Sequence, residues 1–89
     1  MTVAEFSKLN KAERYRILLK ISKGEGKGAF LASRLFSGFQ VGLFRVEDFY
    51  VELWKRIGFD TIDYIEVVDE LKVRDAYLEN LDLPPFDAE

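Results

Sequence analysis

FLASRLFSGFQVGLFRVEDFYVELWKRIGFDTIDYIEVV, residues 30–68, holds four runs rich in β-branched and aromatic residues, separated by short polar or glycine-bearing breaks. This spacing predicts a four-stranded antiparallel meander with strands over Phe30 to Phe36, Phe39 to Val46, Phe49 to Ile57 and about Thr61 to Val68. Ser37-Gly38 and Glu47-Asp48 read as two-residue turns, which set Phe36 opposite Phe39 and Val46 opposite Phe49. Gly58-Phe59-Asp60 reads as a three-residue turn, because a two-residue loop there would put Glu66 on the apolar face.

This register divides the meander into two faces, since alternate side chains point to opposite sides of a strand. The first face carries Leu31, Leu35, Phe44, Val46, Phe49, Val51, Leu53, Ile65 and Val67 and is expected to be the core side, with Ser33 and Gly42 making room for a helix. The second face is mixed. Its rows across the sheet read Arg34, Val41, Trp54, Tyr64; Ala32, Leu43, Glu52, Glu66; Phe30, Arg45, Tyr50, Val68; and Phe36, Phe39, Arg56, Ile62. A single bulge would invert part of this map.

Outside the meander the signals are helical. Thr2-x-x-Glu5 and Asn10-x-x-Glu13 both have the form of a capping box, so two short helices are expected over Val3 to Lys8 and from Lys11 to about Lys23. Ala12, Tyr15 and Leu19 form a stripe on the second of them, widened by Ile17, Leu18 and Ile21, and Gly24 is placed to stop it. Asp69 reads as the N-cap of a last helix reaching about Asn80, with Leu71, Leu78 and Leu81 inward; Leu83-Pro84-Pro85-Phe86 cannot continue it. The expected organisation is one α+β domain over 1–89, with residues 1–23 helical, 24–28 a glycine-rich connector, 30–68 the meander, 69–81 a helix and 82–89 a tail.

Composition narrows the chemistry. The chain has 89 residues, 48% hydrophobic and 33% charged, with no cysteine and no histidine. Without cysteine there are no disulfides or thiolate nucleophiles. Without histidine the commonest general base and the commonest transition-metal ligand are missing. A non-enzymatic protein without a cofactor is the expectation. The start Met1-Thr2-Val3-Ala4-Glu5 lacks a basic segment followed by an apolar one, and no run approaches a membrane span, so a cytoplasmic protein is expected. A formal net charge of −3 disfavours nucleic acid and anionic membranes as partners.

Several local patterns invite functional readings. Gly24-x-Gly26-x-x-Ala29 matches a dinucleotide fingerprint literally, yet it follows a helix and precedes a strand, the reverse of the context that aims a helix N-terminus at a phosphate; a plain linker fits better. Glu52 and Glu66, predicted cross-strand neighbours, could split their pKa values or hold a hard cation, but Arg34, Arg45 or Arg56 can equally neutralise them in a surface network. Arg34, Arg45, Arg56, Tyr50, Trp54 and Tyr64 on one sheet face have the residue types of a base-stacking surface, without the matching RNA-binding motif. The same types are enriched at protein interfaces, and a C-terminal helix can also cover them. Leu83-Pro84-Pro85-Phe86 lacks the spacing of a proline-rich ligand and reads as a tail.

The segment from Gly38 through Phe49-Tyr50-Val51-Glu52-Leu53-Trp54 resembles a family of small bacterial proteins, typical of Bacteroidetes genomes, with a strand of the form Phe-Tyr-Val-Glu-Val-Trp. An upstream helix, a strand like Ile62 to Val68 and the closing Tyr77-Leu78-Glu79-Asn80-Leu81-Asp82-Leu83 extend the resemblance along most of the chain. The resemblance implies an order of elements and brings no activity, cofactor or catalytic residue.

The function expected on these grounds is a small protein-interaction domain. It would act through a face formed by Arg34, Val41, Leu43, Arg45, Tyr50, Glu52, Trp54, Arg56, Tyr64 and Glu66, with another protein or a second copy as partner. The alternative is a small-ligand module that stacks its ligand on Tyr50 and Trp54 and orients it with Arg34 and Glu52.

Overall fold

A computed structural model describes residues 1–77, so the expected helix end beyond Tyr77, its inward Leu78 and Leu81, and the tail over 82–89 lie outside the described residues. The chain forms α1 (Val3–Ser7), α2 (Lys11–Ser22), β1 (Gly28–Phe36), β2 (Phe39–Val46), β3 (Phe49–Arg56), β4 (Ile62–Val68) and α3 (Glu70–Tyr77). The four strands pair antiparallel in chain order, an α+β arrangement.

Both expected capping boxes close, with Thr2 and Glu5 exchanging hydrogen bonds at α1 and Asn10 and Glu13 doing so at α2. Gly24 follows α2 with φ +84°, a left-handed conformation that favours glycine. The buried stripe of α2, however, is not the expected one. Ala12, Tyr15 and Leu19 face solvent, while Leu18 and Ile21 are buried beside half-buried Arg14 and Ile17. Arg14 belongs on this side because its guanidinium donates to the carbonyls of Ser7, Leu9 and Ile65 and lies over the Phe6 ring. A stripe chosen by apolarity alone passes over it.

Ser37 and Gly38 both take positive φ, as a type I′ hairpin turn requires, and the β2–β3 register follows the expected one from Val46↔Phe49 to Phe39↔Arg56. The outer strands each depart from it once. In β1 the pairing shifts between Phe30 and Ala32, so Leu31 is the extra residue of a bulge. Leu31 therefore packs on the second face, not the first, and Phe30 crosses to the first, where its ring meets Phe44 edge-on at 5.3 Å. Those two rings fill the space above Gly42 that was assigned to a helix. In β4 the shift between Trp54 and Lys55 makes Asp63 the extra residue, and Ile62 packs with the first-face core instead of the second. The extra residue, Asp63, pairs with Arg56 at 3.1 Å.

The connector also ends earlier than expected, because Gly28 already belongs to β1. A Cβ there would sit 2.2 Å from the Arg45 carbonyl oxygen on β2, so the close approach of the β2 backbone demands glycine, and Ile21 Cδ1 of α2 would also lie within 2.8 Å.

The sheet has a core on each side. Under α1 and α2 lie Phe6, Leu18, Ile21, Phe44, Val46, Phe49, Val51 and Ile65. On the other side α3, capped by Asp69 through the Lys72 amide, lays Val73 and Tyr77 onto Ala32, Leu43 and Val68. The stripe that faces inward is Val73 and Tyr77, four residues apart, so Leu71 is left 73% exposed rather than inward. Leu35, expected in the first core, is also 73% exposed, since the core under α2 lies toward the opposite end of the sheet.

Candidate functional site

The second face splits into a covered part and an open part. Ala32, Val41, Leu43, Glu52, Trp54 and Val68 are buried, the middle of this group beneath α3. Of the ten residues expected to form an interaction face, Val41, Leu43, Glu52 and Trp54 are thus interior, and Arg34, Tyr50 and Glu66 are half-buried. Arg45, Arg56 and Tyr64 remain exposed. Val41 and Leu43 are correctly placed on this face but do not reach solvent: Leu43 lies in the second core that a third helix builds on this surface, and Val41 is buried between its ladder neighbours Arg34 and Trp54.

Glu52 is 1% exposed and accepts two hydrogen bonds on Oε2, from Tyr77 Oη at 2.8 Å and from Arg34 Nη2 at 3.3 Å. A buried carboxylate is tolerated only when it is paired and bonded, and α3 and β1 together supply both partners. Glu66 sits directly across from Glu52, as expected from the register. The neutralising arginine is Arg34, and the network is buried rather than superficial. Burial, with the Glu52 carboxylate as hydrogen-bond partner and neighbouring charge, holds the Tyr77 phenol well above the ordinary tyrosine value; Arg34 opposes this shift. Glu52 Oε1, Arg34 Nε and Trp54 Nε1 are buried without a hydrogen-bond partner among the described residues.

Arg34 is held by rings as well as by charge. Its guanidinium carbon lies 5.2 Å from the Phe36 centroid, 5.5 Å from Trp54 and 5.2 Å from Tyr77. Such cation–π contacts favour the less strongly hydrated arginine over lysine. Beyond Arg34 the face opens into an aromatic cluster at the turn end of the sheet. Trp54 stacks on Tyr64 at 5.3 Å, and Phe39 and Phe36 meet Trp54 edge-on at 5.4 and 6.1 Å. Arg56 lies over Phe39 at 5.4 Å. The ring stack rests on Trp54, only 8% exposed, while Phe36 and Tyr64 are 52% and 42% exposed.

Phe36, Phe39 and Tyr77 were missed as site residues. The first two stand in the same predicted row as Arg56 and could have been found by reading rings across rows; Tyr77 needed the placement of α3. Gly24 and Gly26 follow the C-terminal end of α2, so that helix does not aim its N-terminus at them as a dinucleotide fingerprint requires. Among the described residues no group of three or more carboxylates comes together as a metal site, and no helix is long and apolar enough to cross a membrane. No family model matches the chain, and comparison with curated proteins and with solved structures gives no match.

Proposed function

We propose that this chain is a small non-enzymatic protein-interaction domain whose contact surface is the aromatic end of the second sheet face. The supporting observation is the half-exposure of Phe36 and Tyr64 around the buried Trp54, rimmed by Arg56. Rigid rings seated on a fixed base lose little conformational freedom when they are covered, and aromatic and arginine side chains dominate interface energetics for that reason. The partner is another protein or a second copy of the chain. The small-ligand alternative has less support, because Glu52 is closed off by Tyr77 and Arg34 and the indole of Trp54 is already covered by other rings. A cytoplasmic setting belongs to the same proposal; with no cysteine in the chain, no disulfide ties it to an oxidising compartment.

The test uses the full chain as bait, with Phe36→Lys and Tyr64→Lys as surface variants and Lys27→Ala as control, together with sedimentation of each protein alone at tens of micromolar. A protein retained by wild type and control and lost from both surface variants, or a wild-type dimer that both variants dissociate, supports the reading. A monomer whose captured proteins are the same for all variants defeats it.

A further inference from the structure

α2 crosses the first face on a slant. Its N-terminal half is tied to the β4 edge by Lys11 and Arg14, which donate to the carbonyls of Ile62 and Ile65, while near its other end Ile21 reaches Gly28 on β1. Between the helix and the turn-end half of β3 this leaves a hollow of about 280 Å³. Phe44, Leu53 and Ile62 floor it on the sheet side, and Tyr15 and Leu19, which do not reach the core, line its helix side. Its size lies just below the roughly 300–1,000 Å³ typical of pockets for drug-sized molecules, so it suits a smaller one.

Two charges line the same hollow. Lys55 is the one charged residue that alternation puts on the first face of β3, and it sits half-buried opposite Ile62. Asp60 stands in the turn between β3 and β4. They do not pair with each other, and neither forms a hydrogen bond or ion pair with any other described residue. By contrast Lys11 and Arg14 are committed to strand carbonyls and Arg56 to Asp63. A half-buried ammonium lacks full hydration, so an incoming carboxylate gains more from it than from a lysine in water.

A ligand complementary to this hollow is small, apolar over most of its length, and carries one negative and one positive group close together at one end. We propose that the hollow between α2 and β3 binds a free α-amino acid with a large apolar side chain, such as leucine or phenylalanine. The side chain lies against Phe44, Leu53 and Leu19, the carboxylate meets Lys55 Nζ, and the ammonium meets the Asp60 carboxylate. The interior of a peptide has amides in place of the two charges and a fatty acid has one charge only, so a free amino acid is the class that uses both residues. The site is on the opposite face of the sheet from the aromatic contact surface and does not depend on it.

L-Leucine and L-phenylalanine are titrated into the isotopically labelled full-length chain and followed by amide NMR shifts. Glycine, hydrocinnamate and phenethylamine serve as probes that lack the apolar side chain, the ammonium and the carboxylate respectively. One or both amino acids should bind saturably with a Kd of about 1 mM or tighter, with shifts centred on Leu19, Leu53 and Lys55. Each incomplete probe should bind about tenfold or more weakly than the amino acids. Lys55→Met and Asp60→Asn should each weaken binding about tenfold, and Lys27→Ala should leave it unchanged. If a variant does not fold, the comparison of probes on wild type still decides. The proposal is overturned if neither amino acid binds saturably, if hydrocinnamate or phenethylamine binds as well as phenylalanine, if the shifts fall on the second face, or if both charge variants bind like wild type.

Discussion

Glu52 is a charged residue in the middle of a strand, and its environment is assembled from three elements: Arg34 on β1, Tyr77 on α3 and Glu66 across the ladder on β4. The alternation of β3 was enough to place Glu52 on the same face as Arg34. It was not enough to show that the face is interior, because burial depends on α3 folding back, and only the Val73–Tyr77 spacing hints at that. Removing the Tyr77 hydroxyl leaves Glu52 Oε2 with Arg34 alone, so Tyr77→Phe should lower stability by about 1–2 kcal/mol in urea titrations at neutral pH. The direction of the Tyr77 shift adds a pH signature. A phenol whose folded pKa lies above its unfolded value contributes stability that is whole below about pH 10 and is lost as pH rises through the folded value. The urea midpoint of wild type should therefore hold up to about pH 10 and fall above it, with a smaller fall in Tyr77→Phe.

Among the elements, α2 shows most clearly how an apolar stripe can mislead. Its true inner side includes Arg14, which closes the end of α1, the α1–α2 corner and the edge of β4 through three carbonyls. Arg14→Ala should destabilise the domain by about 2 kcal/mol, against less than about 0.5 kcal/mol for exposed Arg16→Ala, as read from denaturant midpoints. The start of the β1–β2 pairing is equally specific. Gly28→Ala forces a methyl onto a backbone oxygen and should cost about 2–3 kcal/mol, whereas Gly26→Ala meets no atom and loses about 1 kcal/mol to its positive φ alone. Element order, the central hairpin and both capping boxes were legible because each rests on local chemistry. The bulges were not, since Leu31 and Asp63 obey no local turn rule, and the contacts that accompany them, Phe30 on Phe44 and Asp63 with Arg56, lie across strands rather than along the chain.

At the scale of the whole molecule the sheet is a partition. The cluster under α2 and the cluster under α3 share no buried residue, so each face contributes its own burial, and a chain of 89 residues obtains two small cores in place of one. Leu18→Ala on one side should cost about 2–4 kcal/mol and Val73→Ala on the other about 1–3 kcal/mol. Because the sites have no common neighbours, the double variant should lose the sum to within about 0.5 kcal/mol in the same titrations. A markedly smaller or larger loss would mean the two clusters communicate through the strands. The second core also explains why a face rich in Trp, Tyr and Arg is only partly a surface: the chain spends its centre on α3 and leaves its turn end open.

The extra residue at Leu31 bears on which deletions the protein tolerates. Losing one residue from a strand ordinarily turns every later side chain to the wrong side. Here Phe30 pairs with Phe44 and Ala32 with Leu43, which are consecutive on β2, so removing Leu31 would join two halves that already alternate correctly. A chain lacking Leu31 should still fold, forfeiting one partly buried side chain, while a chain lacking Val51, in the middle of a central strand that carries no extra residue, should not; circular dichroism and thermal melts of the two would tell them apart. The shortened strand would, however, run unbroken from Gly28 to Phe36, and the longer straight edge should make that variant the more prone to form fibrils.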